Sequence, residues 1–149
     1  MFSWLPSEHP RLTDSTCILS SPKSNLYNCI AWAAGDVDHW WWPVPLRGIN
    51  YWPKGIPREE TVSAFIRAFE TVGYMPCGDD SRQVGVEKIV LFAVREAGFV
   101  IPTHAARQLD TGQWTSKMGT LEDITHLTCD CVGGQAYGDP IQFLARQNG

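Results

Sequence analysis

Cys29 and His104 are the two residues whose types and settings could do covalent chemistry together. Cys29 stands in Tyr27-Asn28-Cys29-Ile30-Ala31-Trp32-Ala33-Ala34-Gly35-Asp36, which reads as a thiol entering the first turn of a short helix. A thiol there gains thiolate character from unpaired N–H groups and from the positive end of the helix dipole. His104 stands in Pro102-Thr103-His104-Ala105-Ala106-Arg107-Gln108-Leu109, which reads as a strand. Its imidazole could take the thiol's proton and return it to a leaving group, so the expected chemistry is hydrolysis of an amide or thioester through an acyl-enzyme. The Cys29 backbone N–H, with the Asn25 or Asn28 side chain, would then form the oxyanion hole.

A third group must orient the imidazole, and three candidates follow His104 in the chain: Ser116, Asp123 and His126. A carboxylate on the ring favours Asp123, whereas a hydroxyl or second imidazole keeps Ser116 and His126 open. Arg107 and Gln108 beside His104, and Trp41 in the Trp40-Trp41-Trp42 run, are candidates for substrate contact. Asp36, Lys88 and Lys117 read as solvated charges. Each reactive residue also has a plain reading. Cysteine is among the most buried residue types, and a strand histidine can simply bond a loop carbonyl.

Metal chemistry is a weaker alternative. His126, Cys129, Cys131 and Cys77 together offer imidazole and thiolate ligands. Structural zinc sites usually set paired cysteines about two to four residues apart, so Cys129-Asp130-Cys131 is too tight, and neither a metal nor any other cofactor is expected.

The elements that must position these groups read as follows. Residues 1–24 are rich in Pro, Ser and Thr and read as an irregular arm. Leu26–Ala34 suits a short buried helix capped by Asn25 or Asn28 and ended by Gly35. Prolines break the aromatic segment from Asp36 to Pro57. A second helix starts at Pro57 as its first residue, carries Glu59 and Glu60 in its first turn, places Val62, Phe65, Ile66 and Phe69 on one face, and stops at Gly73. Strands then follow over Glu87–Val94, Phe99–Leu109 and Gln113–Met118, with turns at Glu96-Ala97-Gly98 and Asp110-Thr111-Gly112. Leu121–Leu127 reads as one helical turn, and Pro140–Arg146 as a last strand. The sum is a single α+β domain over residues 1–149, with N-terminal helices carrying the cysteine and an antiparallel four-stranded sheet carrying the histidine.

Composition bounds the function. The chain has 149 residues, 44% of them hydrophobic and 19% charged, which suits one folded domain. A net charge of −4 without a Lys/Arg cluster argues against nucleic-acid binding. No stretch is long and apolar enough to span a bilayer, so no membrane association is expected. The first residues lack the pattern of a secretory signal, which makes a cytoplasmic protein with reduced thiols the expectation; the five cysteines are in any case an odd number.

The blocks YNCIAWAAGD, WWWP, YWPKGIPREETVSAFIRAFETVGY, EKIVLFAV, THAARQLDTGQWTSKMG, EDITH and YGDPIQFLARQ together resemble an uncharacterised family of small bacterial domains. The resemblance runs from about Leu26 onward. NCIAWA and THAARQ…GQWTSKMG…EDITH resemble the cysteine and histidine blocks of papain-like cysteine hydrolases, in their bacterial amidase branch. That resemblance implies a papain-like fold and a peptidase, amidase or deamidase acting on a peptide or protein substrate through Cys29 and His104. The rival expectation is a non-catalytic module, such as a toxin partner or a regulatory protein. It would bury Cys29 away from any imidazole and meet a protein partner through an exposed apolar patch at Trp40–Trp42.

Overall fold

The computed structural model describes residues 17–21, 27–43, 51–118, 123–133 and 137–147. Their frame is one seven-stranded sheet in the order β1-β6-β5-β4-β3-β7-β2, with every pairing antiparallel. The strands are β1 (Cys17–Ser21), β2 (Met75–Cys77), β3 (Val86–Glu96), β4 (Phe99–Gln108), β5 (Trp114–Lys117), β6 (Asp123–His126) and β7 (Asp139–Gln147). Two short helices, α1 (Cys29–Ala34) and α2 (Val62–Glu70), complete the described regular structure with a 3-10 turn at Cys129–Val132.

This overturns the expected architecture of N-terminal helices followed by a papain-like four-stranded sheet. A strand, β1, precedes the first helix and lies within the segment read as an irregular arm. Asp123–His126 is a strand paired on both sides, where one helical turn was expected. Both misreadings concern segments too short for helical and strand periodicity to separate. The second helix also begins later than expected, because Thr61 and not Pro57 sets its start. The Thr61 hydroxyl accepts from the Ala64 N–H at 3.2 Å. Pro57 and Glu60 instead receive the indole N–H groups of Trp52 and Trp42.

β3 sits between β4 and β7, and its centre, Ile89-Val90-Leu91-Phe92, is fully buried. An unbroken apolar run in a strand means a sheet covered on both faces. One face carries the helices: Ile89, Leu91, Ala105 and Leu144 pack with α1, α2 and the aromatic segment. On the other, Val90, Phe92, Ala106, Trp114, Met118 and Ile124 pack with Cys129 and Val132 of the 3-10 turn. Pairing of Val90 with Ala106 and of Leu91 with Ala105 fixes which β4 residue faces which layer. A bulge between Phe92 and Ala93 leaves Thr103 as the extra residue of β4, next to His104.

Candidate functional site

Cys29 is the first residue of α1 and is 7% exposed. The helix is built for its place. Asn28 caps it, Gly35 closes it at φ +88°, and the Asp36 N–H reaches back to the Ala31 carbonyl at 2.8 Å. Burial pushes the Cys29 thiol up to about 11; the Ala105 backbone, the helix-start N–H groups and the Lys117 charge pull the other way and lose. The thiolate character expected from the helix start is therefore outweighed by desolvation. A six-residue helix offers few aligned peptide dipoles, and the enclosure around the thiol is nearly complete.

His104 does not share that environment. Ala105 faces the helices and lies against Cys29, so its chain neighbour His104 faces the other layer. There the imidazole is fully buried, with its ring stacked on Tyr137 at 4.0 Å and edge-on to Phe92 at 5.3 Å. Its Nε2 lies 3.0 Å from Ser116 Oγ, and the same oxygen lies 2.8 Å from His126 Nε2. His126 Nδ1 lies 2.7 Å from the Thr128 carbonyl. For neutral rings the Thr128 carbonyl, an acceptor only, sets the direction of the chain of bonds. His126 Nδ1–H donates to the carbonyl, Ser116 O–H donates to His126 Nε2, and His104 Nε2–H donates to Ser116.

Three of the expected catalytic residues are thus brought together, without the cysteine. A hydroxyl bonded to an imidazole that a carbonyl orients is the relay of a serine nucleophile. Here Ser116 and His104 are fully enclosed, so the arrangement acts as a buried cross-link between β4, β5 and β6. Thr103, freed by the bulge, donates its hydroxyl to the Tyr137 carbonyl at 2.5 Å and so holds the aromatic ring over His104.

The remaining expected residues fall as follows. Asn28 is engaged by the fold: its Oδ1 accepts from the Ala31 and Trp41 N–H groups, both at 3.1 Å, and its Nδ2 donates to the Trp41 carbonyl at 2.7 Å. Trp41 is buried, with its indole N–H on Asp36 at 2.9 Å, so it anchors the aromatic segment. Gln108 shares the parity of His104, and its amide donates to the Asp80 carbonyl. Arg107 lies on the helix face, with its guanidinium carbon 4.7 Å over the Trp32 ring. Asn25 lies outside the described residues, and Asp123 stands in β6 opposite Lys117 on one side and Ser21 on the other. Among the described residues no group of three or more His, Cys, Asp or Glu side chains could hold a metal. Cys77 is a free thiol, and the Cys131 side chain lies outside the described set.

Two charges read as solvated are enclosed instead. Lys117 is fully buried, with its ammonium 5.4 Å over the Tyr27 ring. Lys88, also buried, bonds the Asp79 carboxylate at 2.9 Å and the Asp79 carbonyl at 3.2 Å. That bond holds the Asp79 carboxyl down to about 2, with Ser81 adding to the effect. For Lys88 the available signal was strand parity, because it alternates with Val90 and Phe92 in an apolar strand; Lys117, in Trp114-Thr115-Ser116-Lys117, carried no such signal. Tyr74, whose surroundings prove the most unusual of all, carried no sequence signal.

A family model, the domain of unknown function DUF7689, matches residues 18–145, and the chain belongs to that family. No curated protein and no solved structure matches it. No helix among the described residues is long and apolar enough to cross a membrane.

Proposed function

We propose that this chain is a non-catalytic binding module that meets a protein partner through its aromatic segment, and that Cys29 and His104 serve the fold. The observation that carries this reading is the placement of the thiol and the imidazole on opposite faces of the sheet. A general base must come within hydrogen-bond or one-water reach of its nucleophile, and a strand lies between these two. The raised thiol and the enclosed imidazole support the same conclusion.

The aromatic segment has the properties of a preorganised contact surface. Asn28 and Asp36 fix Trp41, and the Tyr51 ring packs on Trp41 at 4.9 Å while remaining 41% exposed. Val37 is 46% exposed, and Trp40 and Trp42 are half-buried. Rigid aromatic side chains with one wet edge present large contact area at little cost in conformational entropy.

Alkylation with iodoacetamide, read at Cys29 by peptide mass spectrometry, tests the reading. Folded protein is expected to label at Cys29 only as fast as it unfolds, with no change in His104→Ala beyond its effect on stability. Rapid labelling at neutral pH that His104→Ala abolishes would restore the dyad. A photo-crosslinker at position 51 is expected to trap one protein partner in the cell that the same group at the exposed position 84 does not.

A further inference from the structure

On the helix-bearing face, one end of the sheet gathers charge around a single buried hydroxyl. Tyr74 is fully enclosed, edge-on to Phe69 at 6.2 Å, with the Arg146 guanidinium carbon 4.4 Å from its ring centre. Among the described residues its buried hydroxyl oxygen has no hydrogen-bond partner. Arg107 lies opposite Ile89 and Arg146 opposite Glu87, so both arginines project from the helix face of neighbouring rows. The charges of Arg146, Glu87 and Arg107 all reach the Tyr74 hydroxyl.

The two arginines differ in what they hold. Arg146 is engaged: its Nε pairs with Glu87, and its Nη1 donates to the Val72 carbonyl at 2.8 Å. Arg107 is half-buried, with its guanidinium carbon 4.7 Å from the Trp32 ring centre, a contact that draws on its charge and not on its N–H donors. Among the described residues no carboxylate or carbonyl accepts from those donors. A buried hydroxyl with nothing to bond is costly in a native interior, and phenylalanine would fill the same volume without that cost.

We propose that Arg107 and the Tyr74 hydroxyl, backed by the Arg146 charge, form a binding site for the oxyanion group, carboxylate or phosphate, of a small ligand. One anion oxygen accepts the Tyr74 O–H, and another takes the N–H edge of Arg107, whose planar fork matches both groups. Trp32, beneath Arg107, reports on occupancy. The site stands whether or not the aromatic segment has a partner.

The test titrates inorganic phosphate and, separately, acetate into the full chain at constant ionic strength, reading tryptophan fluorescence and the thermal midpoint. A saturable response to at least one probe is expected, and the stronger of the two names the group. Tyr74→Phe and Arg107→Gln are each expected to weaken it by about tenfold or more, the loss of one charge-assisted bond. Arg107→Lys, which keeps the charge without the fork, is expected to bind between the parent and Arg107→Gln and serves if Arg107→Gln does not fold. Without anion, Tyr74→Phe is expected to melt at or above the parent temperature. Three results overturn the proposal: no saturable response to either probe, a response unchanged in Tyr74→Phe, or a Tyr74→Phe variant that melts lower without anion, which marks a hydroxyl satisfied by water.

Discussion

Replacing Asn28 separates two roles that its place before Cys29 would otherwise confound. As a plain N-cap it satisfies one orphan N–H, and Asp or Ser would serve about as well. The structure gives it two further bonds, both to the Trp41 backbone, in a setting only 3% exposed. Asn28→Ala therefore orphans the Ala31 N–H and both polar groups of Trp41. At about 1–3 kcal/mol for each of the three buried groups left unsatisfied, the expected loss is about 3–9 kcal/mol. That is a large part of the stability of an ordinary domain.

Asn28→Asp is the more telling variant. It keeps the acceptor for the Ala31 and Trp41 N–H groups but sets a second oxygen where Nδ2 lies 2.7 Å from the Trp41 carbonyl. Two acceptors then face each other inside a buried site, and a loss of about 3 kcal/mol or more at pH 7 is expected. The pH dependence has a definite sign. The protonated acid can donate to the carbonyl, so the folded-state pKa of the introduced carboxyl is raised above its unfolded value, and the deficit shrinks as pH falls through that folded pKa. Urea unfolding followed by tryptophan fluorescence at several pH values measures both effects. An Asn28→Asp protein within about 0.5 kcal/mol of the parent at pH 7, beside an Asn28→Ala loss of only about 1 kcal/mol, would show that Asn28 merely caps a helix.

Further substitutions probe the other joints of the fold. A Cβ on Gly138 would sit 2.0 Å from the Ala93 carbonyl oxygen at φ +75°, so Gly138→Ala is expected to cost at least about 3 kcal/mol in urea unfolding. Ala97 holds φ +51° in the β3–β4 turn before Gly98, and Ala97→Asn is expected to raise stability by about 0.5–1 kcal/mol, since Asn tolerates that region better. Ser116→Ala leaves two buried imidazoles without their shared hydroxyl and is expected to lose about 2–4 kcal/mol, read as a lower denaturation midpoint. Burial raises the Cys29 thiol from 9.0 to about 11, so the folded state holds that proton more tightly; its contribution is full below pH 9.0 and lost as pH rises through 11. The loss is about 2–3 kcal/mol, and a Cys29→Ala protein whose alkaline profile matches the parent's would sink that assignment.

Local signals with a fixed geometry were legible. An asparagine cap at position 25 or 28, the Gly35 stop, the apolar face of α2 and the Ala97-Gly98 turn all follow from residue chemistry over a few positions, and the structure selects Asn28 as the cap. Strand β6 was not legible: in Asp123-Ile124-Thr125-His126 a four-residue run cannot display a period, and only its pairing with β1 and β5 defines it. Nor was the start of α2. Pro57, Glu59 and Glu60 have the composition of a first turn, yet the Trp42 and Trp52 indoles bind that segment in a non-helical path, and Thr61 supplies the cap. Tertiary partners overrode propensity there.

Strand parity separates Cys29 from His104, while His104, Ser116 and His126 share one face. Chain order and element type can bring a helix cysteine and a strand histidine near each other, but consecutive strand residues point to opposite faces. Ala105 meets Cys29, so His104 must look away. The same rule divides the whole block that resembles a histidine motif. Arg107, Thr115 and Lys117 join the helix layer, where Trp32 bonds Thr115 at 3.1 Å. His104, Ser116 and His126 join the opposite layer and bond one another. One sequence block thus builds two polar clusters back to back, each enclosed by its own layer.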